Sequence, residues 1–136
     1  MRALVLTVLA LAGCTEPDYD VVVGRIQLWD EPVMIEVPSS ARRGELAIVN
    51  VTTSGNECVD YLSTDLDVHG DVADVTPLDR HPRGNLVCHD IWKSIRHEVG
   101  IAFDTAGVKT IVVHGRRTTA NFGDEVIEVP FTITVE

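Results

Sequence analysis

Between Cys58 and Cys88 the chain reads CVDYLSTDLDVHGDVADVTPLDRHPRGNLVC, an acidic, turn-rich stretch carrying His69 and His81, with His89 following directly and His97 close behind. Imidazoles interleaved with Asp67, Asp71, Asp79 and Asp90 offer the nitrogen and oxygen donors that a zinc ion accepts. Asp79-Arg80-His81 would set one of each two residues apart. An ion held by His69, His81 and His89 is therefore one expectation, although no pair of them stands at a known ligand spacing. A blue-copper site lacks its loop of cysteine, histidine and methionine at short spacers. Hydrolysis is no better served, since there is no G-x-S-x-G, no H-E-x-x-H and no glycine-rich phosphate loop. Asp65 and Asp67 share a strand face and read as solvated residues. Neither enzymatic activity nor a cofactor is expected.

The other chemistry on offer is recognition. Arg80, His81 and Arg83, with Arg116 and Arg117, are the basic clusters of a chain whose formal net charge is −10. They mark a candidate surface for an envelope protein or a glycan, placed on loops as binding residues commonly are. The acidic balance argues against nucleic acid and against a protein lying flat on anionic lipid.

What must position these groups begins at the N-terminus. Met1-Arg2 supplies a positive charge, and Ala3 to Ala12 is apolar apart from Thr7. That run is shorter than the roughly 20 residues a membrane-spanning helix needs, and it has the layout of a secretory signal. Leu11-Ala12-Gly13-Cys14 resembles the lipobox of bacterial lipoproteins. The resemblance implies cleavage of residues 1–13 and lipidation of Cys14, which then anchors the domain outside the cytoplasm; more than one acyl chain makes such anchoring stable. Thr15, in place of an aspartate after the cysteine, resembles lipoproteins sorted to the outer membrane. The polar segment 14–20 reads as a short tether, six residues of which reach about 20 Å when extended.

With Cys14 assigned to lipid, Cys58 and Cys88 remain as a pair in an oxidising compartment, and a disulfide is expected. Residues 21–136 are one ordinary domain. Val33, Ile35 and Val37 alternate with Met34 and Glu36, Ala47, Val49 and Val51 share one face, and Ile95, His97, Val99, Ile101 and Phe103 alternate with Arg96, Glu98, Gly100, Ala102 and Asp104. A turn at 104–107 precedes a strand from Val108, and Ile127, Val129, Phe131, Ile133 and Val135 share a face, with Pro130 suited to a sheet edge. The alternation of Leu66, Val68, Gly70 and Val72 slips by Ala73, which suggests a bulge near Gly70 or Asp71. Pro77 to Asn85 reads as the longest exposed loop, and a helical turn is expected at Asp90 to Lys93.

About seven strands with turns every eight to twelve residues predict an all-β, two-sheet antiparallel sandwich. The segment RHEVGIAFDTAGVKTIVVHGR is similar to the paired late strands of immunoglobulin-like domains. In such a sandwich the disulfide would cross between sheets. Lipobox, short tether, one sandwich and a cysteine pair together resemble small lipoproteins of Gram-negative bacteria, which implies a location and a fold but no activity. The expected role is a membrane-anchored structural or binding module, with extracytoplasmic metal binding as the alternative.

Overall fold

Alternating valine and isoleucine runs hide one face of each strand, so two sheets close on one another with the apolar faces inward. A computed structural model describes residues 18–84 and 86–136 as an all-β sandwich. Cys14, the lipobox and most of the tether lie outside the described residues. The smaller sheet is β5 (Ala47–Gly55) between β3 (Ile35–Glu36) and β8 (Lys93–Ile101), all antiparallel. Val49 and Val51 of β5 and Ile101 of β8 are buried against Ala73 and Val75 of β7 (Val72–Pro82), Ile111 and Val113 of β9 (Gly107–Thr118), and Ile133 of β10 (Asp124–Val135).

The larger sheet is mixed rather than antiparallel. β9 pairs with β10 along its whole length, and on its other edge runs parallel to β7 over Val72–Val75. β6 (Asp60–His69) covers the far edge of β7, and β4 (Ser40–Ala41) touches β10 only at Thr134 and Val135. Pro130 therefore lies on an edge otherwise open, where its missing donor breaks no ladder.

Beyond Val75 and Val113 the pairing of β7 with β9 ends, and the sheet forks. β1 (Tyr19–Val23) runs antiparallel to β7, while β2 (Arg25–Leu28) runs parallel to β9, so the chain changes direction at Gly24 to follow both arms. Gly24 N–H donates to Pro77 O and Gly24 O accepts from Arg116 N–H, at 2.8 and 2.9 Å. A Cβ at Gly24 would lie 2.3 Å from Thr53 Cγ2, which explains the glycine at the crotch.

Several expectations are corrected here. Pro77–Pro82 belongs to β7 and is paired on both edges, with β1 and β6. Pro77 is tolerated because it sits where β7 changes partner, and Pro82 because it ends the strand. The slip near Gly70 is a two-residue hairpin turn closed by His69 and Val72, with Gly70 at φ +62°, and not a bulge. The irregularity in β6 lies between Tyr61 and Ser63. Asp90 to Trp92 is loop rather than a helical turn, with β8 starting at Lys93. β1 already begins at Tyr19, two residues ahead of the boundary read from sequence.

Candidate binding cleft at the forked end

Two loops close the forked end, and the disulfide joins them. Cys58 lies in the β5–β6 turn and Cys88 in the connection from β7 to β8, with Cα atoms 5.7 Å apart. The bond therefore pins a loop to a turn instead of crossing the core. Asn56 folds that turn by accepting the Cys58 N–H on its side-chain oxygen. The Glu57 carboxylate receives both the backbone N–H and Nδ1 of His89, at 3.0 and 2.5 Å. The backbone N–H of His89, then its imidazole, hold Glu57 below the usual carboxylate range. Lys93 Nζ adds bonds to Glu57 O and Asp60.

Between this stapled corner and the β2–β9 arm of the fork lies a cleft of about 300 Å3. Arg25 and Arg116 form one wall. Ser54, Asn56 and Asp90 supply hydroxyl, amide and carboxylate opposite, with Trp92 and His81 at the sides. Arg25 lies over the Trp92 indole at 5.1 Å, a cation–π contact. Both guanidiniums reach the same oxygen of Asp124, at 3.0 and 2.6 Å. Burial draws the Arg116 guanidinium below its ordinary value and the charge of Arg25 adds to the drop, whereas Asp124 and the buried Asp79 oppose it. Burial alone would raise Asp124, but hydrogen bonds and charge from Arg25, and charge from Arg116, outweigh it and leave the carboxyl below its usual range. Its pairing thus stabilises the fold fully above the unfolded carboxylate's titration range and is lost as the pH falls through the depressed one.

Below the crotch the two sheets are tied by a polar cluster whose centre, His97, Asp79 and Thr53, is closed to solvent. His97 of β8 and Asp79 of β7 are 0 and 1% exposed, and Nε2 meets Asp79 Oδ1 at 2.8 Å. Thr53 donates its hydroxyl to the other Asp79 oxygen at 2.8 Å. Nδ1 faces Ser63 O and Thr64 Oγ1, both at 3.2 Å, and the Tyr61 ring covers the imidazole at 4.9 Å. The order Thr64, His97, Asp79 imitates a hydroxyl–imidazole–carboxylate relay. His97 and Asp79 are closed to solvent, however, so no substrate reaches the imidazole. The cluster is a structural tie.

The basic residues expected to act together do not. Arg80 pairs with Asp60, Arg83 with Asp20 and Arg117 with Glu125, each beside its own acid. Only His81 and Arg116 of that set line the cleft; Arg25 and Trp92, which line it too, and Asp124, which pairs with both arginines, were missed. Gly24 beside Arg25 was the available signal, because a glycine inside a valine-rich strand marks close backbone approach.

The metal expectation is also corrected. His69 pairs with Val72 at one end of β7 and His81 lies nine residues further along, about 30 Å away at 3.3 Å per residue. His89 is committed to Glu57. Instead, His69 lies 3.5 Å from Asp74, which His114 also approaches at 2.6 Å, and the other His114 nitrogen faces Glu128 at 3.4 Å. Among the described residues no three histidine, cysteine, aspartate or glutamate side chains are set to hold one ion. No helix among them is long and apolar enough to cross a membrane.

Comparison with protein-family models, curated proteins and solved structures finds no match to this chain.

Proposed function

We propose that the protein is a lipid-anchored extracytoplasmic binding module. Its recognition site is the cleft at the forked end, which takes an oxyanion-bearing group of an envelope glycan or protein. One observation carries this reading: two guanidiniums, held together by one carboxylate oxygen of Asp124, line a cleft whose other lining includes a loop and a turn joined by a disulfide. Guanidiniums suit carboxylate and phosphate geometry, and a few converging polar groups beside an aromatic ring are what a binding cleft uses for orientation. Stapling the loop in advance lowers the ordering cost of binding. The disulfide and the lipobox support a location outside the cytoplasm.

Titration of the protein with an acidic oligosaccharide and with an acidic peptide, followed by amide chemical shifts, tests the site. Shifts are expected at Asn56, Asp90, Trp92 and Arg116, and Arg116→Gln should weaken binding by about tenfold, the loss of one charge-assisted contact. If neither ligand moves these resonances, the cleft is not an oxyanion site.

A further inference from the structure

Asp18, where the described residues begin, and the apolar loop that follows β7 lie at the same corner. Tyr19 pairs with Pro82, and the N–H of Arg83 donates to Asp18 O at 2.9 Å. The connection that follows carries Leu86, Val87, Ile91 and Trp92, which are 60, 85, 65 and 49% exposed. A loop crossing solvent has no reason to show four large apolar side chains within seven residues. Nor is this loop free to fold them away, because Cys88 and His89 in its middle are fixed to the β5–β6 turn.

We infer that this corner is seated on the bilayer, with Leu86, Val87, Ile91 and Trp92 in the interfacial layer. The inference rests on the lipid-anchor reading proposed above. From Cys14 to Asp18 is four residues, a reach of at most about 14 Å. The polar layer on each side of the hydrocarbon is about 5–7 Å deep. A chain that short holds Asp18, and the loop bonded beside it, against the surface. Tryptophan suits that layer because its ring is apolar and its N–H is polar. The nearby cations do not draw the corner to anionic lipid, because three carboxylates meet them: Asp20 pairs with Arg83, Asp60 with Arg80 and Lys93, and Glu57 also feels the charge of Lys93. Seating is apolar and indifferent to salt. The cleft, of which Trp92 is one side, then opens at headgroup level, where its partner is met.

The chain has two tryptophans, so Trp29→Phe leaves Trp92 as the sole indole emitter. The full-length chain, produced in a bacterial host and purified with its lipid, is reconstituted into phosphatidylcholine vesicles bromine-labelled high on the acyl chain and floated on a density gradient. Protein that floats with Trp92 emission blue-shifted and at least half quenched supports the seating. Leu86→Asp with Val87→Asp should abolish the quenching while the protein still floats and melts as before. Protein that floats with Trp92 unquenched overturns the seating and leaves the anchor standing, and also covers the case in which a protein partner occupies the loop. Protein that does not float removes the anchor and the seating with it.

Discussion

Asp79→Ala is expected to lower the unfolding free energy by about 2–3 kcal/mol, the cost of leaving buried polar groups without the carboxylate they bond. The reason lies in how fully the site is committed. His97 Nδ1 faces Ser63 O and Thr64 Oγ1, and Nε2 has Asp79 as its near partner at 2.8 Å, with Thr53 at 3.3 Å. No buried side-chain polar atom among the described residues is left without a hydrogen bond, so the cluster has no spare acceptor to replace a lost carboxylate. Alanine would take from the imidazole its near partner and from the Thr53 hydroxyl its acceptor, leaving them only their own 3.3 Å contact between the two sheets, and would withdraw a negative charge that Arg116 also feels. Exchanging both partners for apolar residues, Asp79→Leu with His97→Leu, should cost clearly less than the sum of the single changes, since neither is then left alone. Urea melts of the single and double variants measure this. Additive losses, or a loss under about 1 kcal/mol for Asp79→Ala, would show that the tie is not coupled.

Cys58→Ser with Cys88→Ser is the second large effect, expected at about 3–4 kcal/mol, or on the order of 10–15 °C in melting temperature. The bond closes a 30-residue loop comprising β6 and β7. Those strands pair with each other and with β1 and β9 independently of it. The cost therefore falls mainly on the entropy of the unfolded chain, and the fold should survive reduction. Locally the loss is larger, since Asp90 and Trp92 are freed from the turn apart from the Glu57–His89 contact. Thermal melts with and without reductant, and amide exchange of the β7–β8 connection, check both parts. Equal melting temperatures would mean that noncovalent contacts alone close the corner.

The sandwich was legible because half-buried strands alternate with period two. β8, β9 and β10 follow directly from the spacing of Ile95 to Phe103, Val108 to Gly115 and Ile127 to Val135. The cysteine pair was legible too, as the two cysteines left once Cys14 is set aside. Other features depended on pairing between distant segments, which spacing cannot express. Pro77–Pro82 has the composition of a loop yet becomes strand because β1 and β6 flank it. Asp79 and Arg80 are sequence neighbours, and the pleat buries one and exposes the other. The cleft was hidden for the same reason: Arg25 and Arg116 lie 91 positions apart and meet only where the sheet forks. The histidines misled in the opposite direction. They are close in sequence, but strand β7 carries them to opposite ends of the molecule.

Whether the forked end is where the protein makes its contact is tested most directly by photo-crosslinking in native membranes. A photoreactive residue is placed at Asp90 in the cleft, and at Val108 beside the opposite end of β9. Adducts with an envelope component are expected from position 90, and they should disappear with Arg116→Gln. Adducts from position 108 alone, or position-90 adducts that Arg116→Gln leaves unchanged, would contradict the assignment of the cleft.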